Sequence, residues 1–211
     1  AAWSQTIWQV KRKIAGLRVY DHLFVVVEGR KQGTGKSELV KCFGRALGSF
    51  FYEGGKGDIF TDIRFTEVFT NNFLILLDEM AKMNKADGES VKSLISSDHV
   101  SHRKMGTTIV SELPNLATLI GTSNHPVREV IRGSDGMRRF CELNMSTPES
   151  LQDRLDLIRS VDWVSAFQSI DENGESPYSL NRELFQAQLR PHNPLRQAFR
   201  LPPPLQQKHN Q

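Results

Sequence analysis

Apolar residues fall into two rhythms along this chain. Over residues 3–15 they recur at Trp3, Ile7, Val10 and Ile14, the spacing of one helical face, with Lys11-Arg12-Lys13 set between them. Leu23-Phe24-Val25-Val26-Val27 is unbroken and rich in β-branched residues, and it runs into Glu28-Gly29. Such a run predicts a strand covered on both faces, as in a parallel sheet. Helical spacing returns over 37–47, with Leu39, Val40, Phe43 and Leu47 on one side. A flexible loop (53–57), a short helix (62–70), a second strand (73–77), a polar loop (82–88), a helix (about 89–96) and a third strand (116–122) follow. Strands alternating with helices predict an α/β sheet. Residues 148–170 predict one helix with Pro148 at its start, carrying Leu151, Leu155, Ile158, Trp163 and Phe167, the last two expected in a core. A loop (171–177) and a helix over 180–190 come next. Five of the nine prolines fall in the last 21 residues, so disorder is expected beyond about residue 200.

Composition narrows the class. The chain has 211 residues, enough for one large domain or one domain with a small appendage, and at 38% hydrophobic and 24% charged it can bury a core. No apolar run approaches the roughly 18 residues of a membrane span, and the N-terminal residues lack the apolar stretch of a signal peptide. Two cysteines outside any C-x-x-C pair suit a reduced, cytoplasmic protein. A net charge of +3 does not announce nucleic-acid binding, so any such function must come from local patches. The chain begins Ala1-Ala2 without methionine, as an excised piece or a fragment of a longer protein would.

The strongest chemical signal is Gly29-Arg30-Lys31-Gln32-Gly33-Thr34-Gly35-Lys36-Ser37, lying between a strand and a helix. A nucleoside triphosphate needs backbone N–H groups converging on phosphate at the positive end of a helix. Here Gly33, Thr34 and Gly35 shape that backbone, Lys36 reaches the β- and γ-phosphates, and Ser37 ligates Mg²⁺. The usual pattern places four residues between its first glycine and Gly-Lys. Gly29 leaves five, and Arg30 occupies the expected glycine position.

Asp78-Glu79 closes the second strand. An acid there can hold Mg²⁺ together with Ser37, and a second beside it can deprotonate the attacking water. Alone, the pair also fits a helix N-terminus; the phosphate loop tips the reading. Asn124 ends the third strand, either contacting γ-phosphate and water or serving an Asn-His-Pro turn. Arg138-Arg139 precedes Phe140 and reads as a solvated surface or as an arginine finger reaching a neighbouring subunit's γ-phosphate.

Together, EGRKQGTGKS, FLILLDE, SHRKMGTTIV, LIGTSNHP and GMRRF resemble superfamily 3 helicases in order and spacing. The likeness is to the virulence-associated protein E and poxvirus D5-like primase-helicases of phages and mobile elements. It covers residues 20–145 strongly and 146–200 less so. The resemblance implies a P-loop, AAA+-like parallel-sheet core with flanking helices that assembles as a hexamer around nucleic acid. It places Lys36 and Ser37 on Walker A, Asp78 and Glu79 on Walker B, and Asn124 on the motif C sensor. Arg139 matches the arginine finger, with Arg138 second. It also implies a DNA-contacting hairpin at His102, Arg103 and Lys104; a turn at 105–108 leading into Ile109-Val110 would project the cations into a pore. The family's larger members carry an N-terminal primase-polymerase domain, and the resemblance here is to the helicase part alone. The expected organisation is an N-terminal helix (1–20), an ATPase core (21–147), a C-terminal helical segment (148–200) and a tail (201–211).

The resulting expectation is an ATP- and Mg²⁺-dependent motor on single-stranded or forked DNA, in a prokaryotic or viral-host cytoplasm. Its partners would be copies of itself and a primase. Two alternatives stay open. One is an ATP-gated DNA-binding or scaffold module with little turnover, favoured by Arg30. The other is a P-loop kinase acting on a small molecule, against which Asp78-Glu79 and Asn124 argue.

Overall fold

A computed structural model describes residues 1–54, 65–82, 85–103, 110–131 and 137–181. The strands are β1 (Phe24–Glu28), β2 (Phe51–Glu53), β3 (Leu74–Leu77), β4 (His99–Arg103), β5 (Val110–Pro114), β6 (Thr118–Ser123) and β7 (Phe140–Asn144). The helices are α1 (Ala2–Ile14), α2 (Lys36–Arg45), α3 (Phe65–Asn71), α4 (Lys85–Ser96), α5 (Val127–Val130), α6 (Leu151–Ser160), α7 (Trp163–Ser169) and α8 (Pro177–Leu180). Five strands form one sheet in the order β2-β3-β6-β1-β7, and every pairing in it is parallel. β4 and β5 form a separate antiparallel pair between β3 and β6, with Arg103 opposite Val110.

The apolar runs explain the sheet. All residues of β1, β3 and β6 are buried, and alternate side chains feed opposite faces. Phe24, Val26, Ile75, Leu77 and Leu119 join Phe69 of α3 and Val91 and Ile95 of α4 in one core. Val25, Val27, Leu74, Leu76 and Ile120 join Ile7 and Val10 of α1 and Val40 and Phe43 of α2 in the other. A strand buried on both sides has no polar face to show, hence its unbroken hydrophobicity.

The second core draws in both ends of the described chain. Trp3 of α1 and Trp163 of α7 pack on Phe43 at ring-centroid distances of 4.8 and 5.2 Å, and Phe167 stacks on Phe43 at 5.2 Å. Trp163 and Phe167 thus pack where the periodicity put them, in a core. Gln5 of α1 is fully buried: its amide donates to the Asp21 carbonyl, while its carbonyl accepts from Ser176 Oγ and from the Tyr178 N–H beside α8. The Lys11-Arg12-Lys13 cluster ties the chain to itself. Lys11 donates to the Ile170 carbonyl and pairs with Glu172, Arg12 donates to the Arg18 and Glu172 carbonyls, and Lys13 donates to the Ala117 carbonyl.

The C-terminal helix expected over 148–170 is two helices. Ser150 caps α6 by accepting from Asp153 N, and Asp162 caps α7 by accepting from Ser165 N. Asp162 competes for backbone donors and starts a new helix rather than continuing the old one. The short helix α8 falls partly in the expected loop over 171–177 and ends at Leu180, while residues 182–190 of the helix expected over 180–190 and the tail lie outside the described residues. Among the described residues no helix is long and apolar enough to cross a membrane.

Replacing Gln5 by Leu removes the hydrogen bonds it makes with the Asp21 carbonyl, Ser176 Oγ and the Tyr178 N–H. A loss of about 1–3 kcal/mol is expected, measured by denaturant unfolding, with earlier proteolytic cutting near residue 176.

Candidate functional site

The parallel sheet aligns the C-terminal ends of β1, β3 and β6, and the candidate residues gather there. The Gly29 N–H donates to the Ser123 carbonyl at 3.0 Å, so the loop leaves β1 anchored to the end of β6. The loop then turns through Gly33 (φ +72°) and Gly35 (φ +89°), left-handed conformations that favour glycine. Gly35 caps α2, and a Cβ on it would sit 3.2 Å from Ile158 Cδ1.

Lys36 opens α2 with its side chain turned back beneath the loop, only 8% exposed. Its Nζ donates to the Gly29 carbonyl (2.9 Å), the Lys31 carbonyl (3.0 Å) and Thr34 Oγ1 (3.2 Å). Burial pulls the ammonium's pKa below its ordinary value, against the attraction of Glu28 and Asp78. Thr34, buried at 2% exposure, serves the loop through its hydroxyl.

At the end of β3, one carboxylate oxygen collects three donors. Asp78 Oδ1 accepts from Ser37 Oγ (2.9 Å), from the Glu79 N–H (3.1 Å) and from Thr122 Oγ1. Thr122 Oγ1 in turn accepts from the Glu79 N–H at 3.1 Å. Glu79 has φ +53°, and among the described residues it is the one non-glycine in the left-handed region. Asn124 follows β6 directly, half-buried, and its side chain makes no hydrogen bond to another described residue. Lys36, Ser37, Asp78, Glu79 and Asn124 therefore share one edge of the sheet, with Gly33, Thr34 and Gly35 above it.

Arg138 and Arg139 lie elsewhere. They form a short 3-10 turn directly before Phe140, which stands opposite Phe24 at the start of β1. The glycine-rich loop leaves the other end of β1, about 13 Å away at ~3.3 Å per residue. Arg139 instead influences His22, whose pKa falls to about 4 through burial first and then through Lys13, with Arg139 adding to the effect. His102 and Arg103 sit on the backbone of β4 facing β5, but their side chains and the whole of Lys104 and the turn at 105–108 lie outside the described residues.

Three contributors were not legible in the sequence. Thr122 looks like one more β-branched strand residue. Glu28 reads as a strand end, yet it is buried beside Lys36. Arg154 of α6 donates to the Ser146 carbonyl and, at 3.4 Å, to the Thr34 carbonyl of the loop. Nothing at a separation of 120 residues signals that contact. α6 also grips the start of α2, where Arg159 Nε meets Glu38 Oε1 at 3.1 Å.

A model of the virulence-associated protein E-like domain matches residues 10–194. The fold is similar to an apo A-form structure of the NrS-1 C-terminal region, with a TM-score of 0.56 at 18% identity, covering 87% of this chain and 45% of that one. A second apo structure of that region, residues 305–718, gives 0.54 at 18% identity, covering 85% and 45%. The chain thus spans less than half the length of these structures. No curated protein is similar enough to the chain to count as a relative.

Gly35→Ala forces a side chain into the left-handed region and against Ile158. A loss of about 1–2 kcal/mol is expected, read as a lower unfolding midpoint. His22 gives a pH signature of the opposite edge. The unfolded histidine takes up its proton near 6.5, and the folded one only near 4. Stability therefore falls as pH drops through that window, and His22→Gln should flatten that part of the profile in pH-dependent urea melts.

Proposed function

The chain belongs to the virulence-associated protein E-like domain family, and on that premise we propose that it is an ATP-hydrolysing motor domain of superfamily 3 helicase type, with a P-loop, AAA+-like core. Membership in the family fits a role in DNA replication for a phage or mobile element. The observation that carries the reading is the meeting of Lys36, Ser37, Asp78 and Glu79 at the C-terminal edge of a parallel sheet, where ligands of open α/β folds bind.

Each group has a task in that chemistry. Loop N–H groups and the N-terminus of α2 receive phosphate oxygens. The Lys36 ammonium now rests on neutral acceptors of its own loop, and exchanging them for β- and γ-phosphate oxygens brings opposite charges together in a dry setting. Ser37 Oγ and Asp78 are adjacent hard oxygen donors, the donor set Mg²⁺ takes alongside phosphate. The ion, when bound, neutralises charge developing on the phosphoryl oxygens. Glu79 orients and deprotonates the water, and Asn124 contacts the water and the γ-phosphate. Arg154 adds a cation against the loop from the C-terminal helices.

Arg139 stands at the far end of β1 from its own phosphate loop. That placement suits donation to a neighbour's γ-phosphate, with Arg138 beside it, and makes turnover a property of a ring, in this reading a hexamer. The β4–β5 pair, inserted between the Asp78 and Asn124 strands, carries His102 and Arg103 and leads into Lys104. Cations there would track the phosphates of single-stranded or forked DNA with strong salt dependence. A primase is the expected functional partner. A second reading, a switch that binds ATP with little turnover, draws on Arg30 standing in the usual glycine position.

Glu79→Gln should cut steady-state turnover by about 10²–10⁴-fold while ATP still binds. Arg139→Ala should cost about 10³-fold or more. Mixing the two inactive variants should restore part of the activity, because an intact Glu79 then meets an intact Arg139 across some interfaces. ATP binding without turnover in the wild type, at any protein concentration and with single-stranded DNA present, would select the switch instead.

A further inference from the structure

We propose that Thr122 is the positioning residue of this site: its hydroxyl sets the direction of the Asp78 carboxylate and holds Glu79 in the backbone conformation from which it meets water. The inference rests on the ATPase reading for its consequence, but its structural content stands on the hydrogen bonds alone.

Three observations converge. Thr122 is 2% exposed in a strand where all residues are buried. A hydroxyl there is unfavourable unless bonded, and valine fills the same space without that cost. Both capacities of the hydroxyl are used on the acid pair: it donates to Asp78 Oδ1 and accepts from the Glu79 N–H. The residue it holds is the one carrying the left-handed backbone. A glutamate at φ +53° is disfavoured, and such conformations persist only where surrounding contacts over-determine them. The Glu79 N–H is fixed from both sides, by Asp78 Oδ1 and by Thr122 Oγ1.

The consequence is geometric. With Ser37, Thr122 and the Glu79 amide all on Oδ1, the carboxylate of Asp78 cannot rotate without breaking three bonds. The left-handed turn at Glu79 is held by the same set of bonds. A β-branched residue on β6 thus connects the metal-holding acid and the water-activating acid, because β6 lies between β3 and β1.

Thr122→Val removes the hydroxyl and keeps the shape; Thr122→Ser keeps the hydroxyl. In the ligand-free protein, Glu79 amide hydrogen exchange should quicken about tenfold in Thr122→Val and stay near wild type in Thr122→Ser. ATP turnover should show kcat lower by about 10- to 100-fold in Thr122→Val with KM nearly unchanged, and substantial recovery in Thr122→Ser. An unaltered Glu79 amide in Thr122→Val would overturn the proposal. So would exchange that quickens equally across β3 and β6, or equal defects in both variants, since either marks a packing role only. A wild type that hydrolyses no ATP overturns the ATPase reading, while the exchange comparison still decides the role of Thr122.

Discussion

Three donors from three places in the sequence meet on one oxygen of Asp78, and the rest of the site is arranged around that meeting. Ser37 arrives from the first turn of α2, Thr122 from the end of β6 and the Glu79 amide from the next residue along. For all three to reach, β1, β6 and β3 must end level with one another. Parallel pairing delivers that: Leu77 stands opposite Gly121, and Glu28 opposite Ser123. A one-residue slip in β6 would turn Thr122 to the other face and put Gly121 in its place.

The helices on the second core carry the same geometry outward. Phe43 of α2 is packed by Trp3 and Trp163, so the helix that presents Lys36 and Ser37 is held by both ends of the described chain. α6 reaches the glycine-rich loop itself through Arg154 and Ile158, and the first turn of α2 through Arg159. The C-terminal helices are therefore physically joined to the candidate site.

The two edges of the sheet carry opposite halves of one reaction in the proposed motor. The C-terminal edge holds the phosphate loop and the acid pair; the N-terminal edge holds Arg139, close enough to His22 to help keep it neutral. The sheet holds them apart, so in that proposal a second copy supplies what one copy lacks.

The sequence by itself determined the kinds of element and which candidate residues stand at their ends. The runs at 23–27 and 73–77 predict strands because a strand covered on both faces is apolar at nearly every position, the run at 116–122 is polar only at Thr118 and Thr122, and Gly33-Thr34-Gly35-Lys36-Ser37 and Asp78-Glu79 stand out by local spacing. Local spacing also misled: apolar residues recur from Leu151 to Phe167, while the backbone turns extended at Val161 and the side chain of Asp162 begins a second helix. Only the tertiary structure decided the strand order, the reach of Thr122 and Arg154, and the separation of Arg139 from the loop. These depend on which strands pair and which helices pack, interactions between residues 40 to 120 positions apart that leave no periodic trace in the chain. A hydroxyl or a guanidinium looks the same in sequence whether it faces water or a carboxylate or carbonyl of the candidate site; its partner exists only once the sheet has formed.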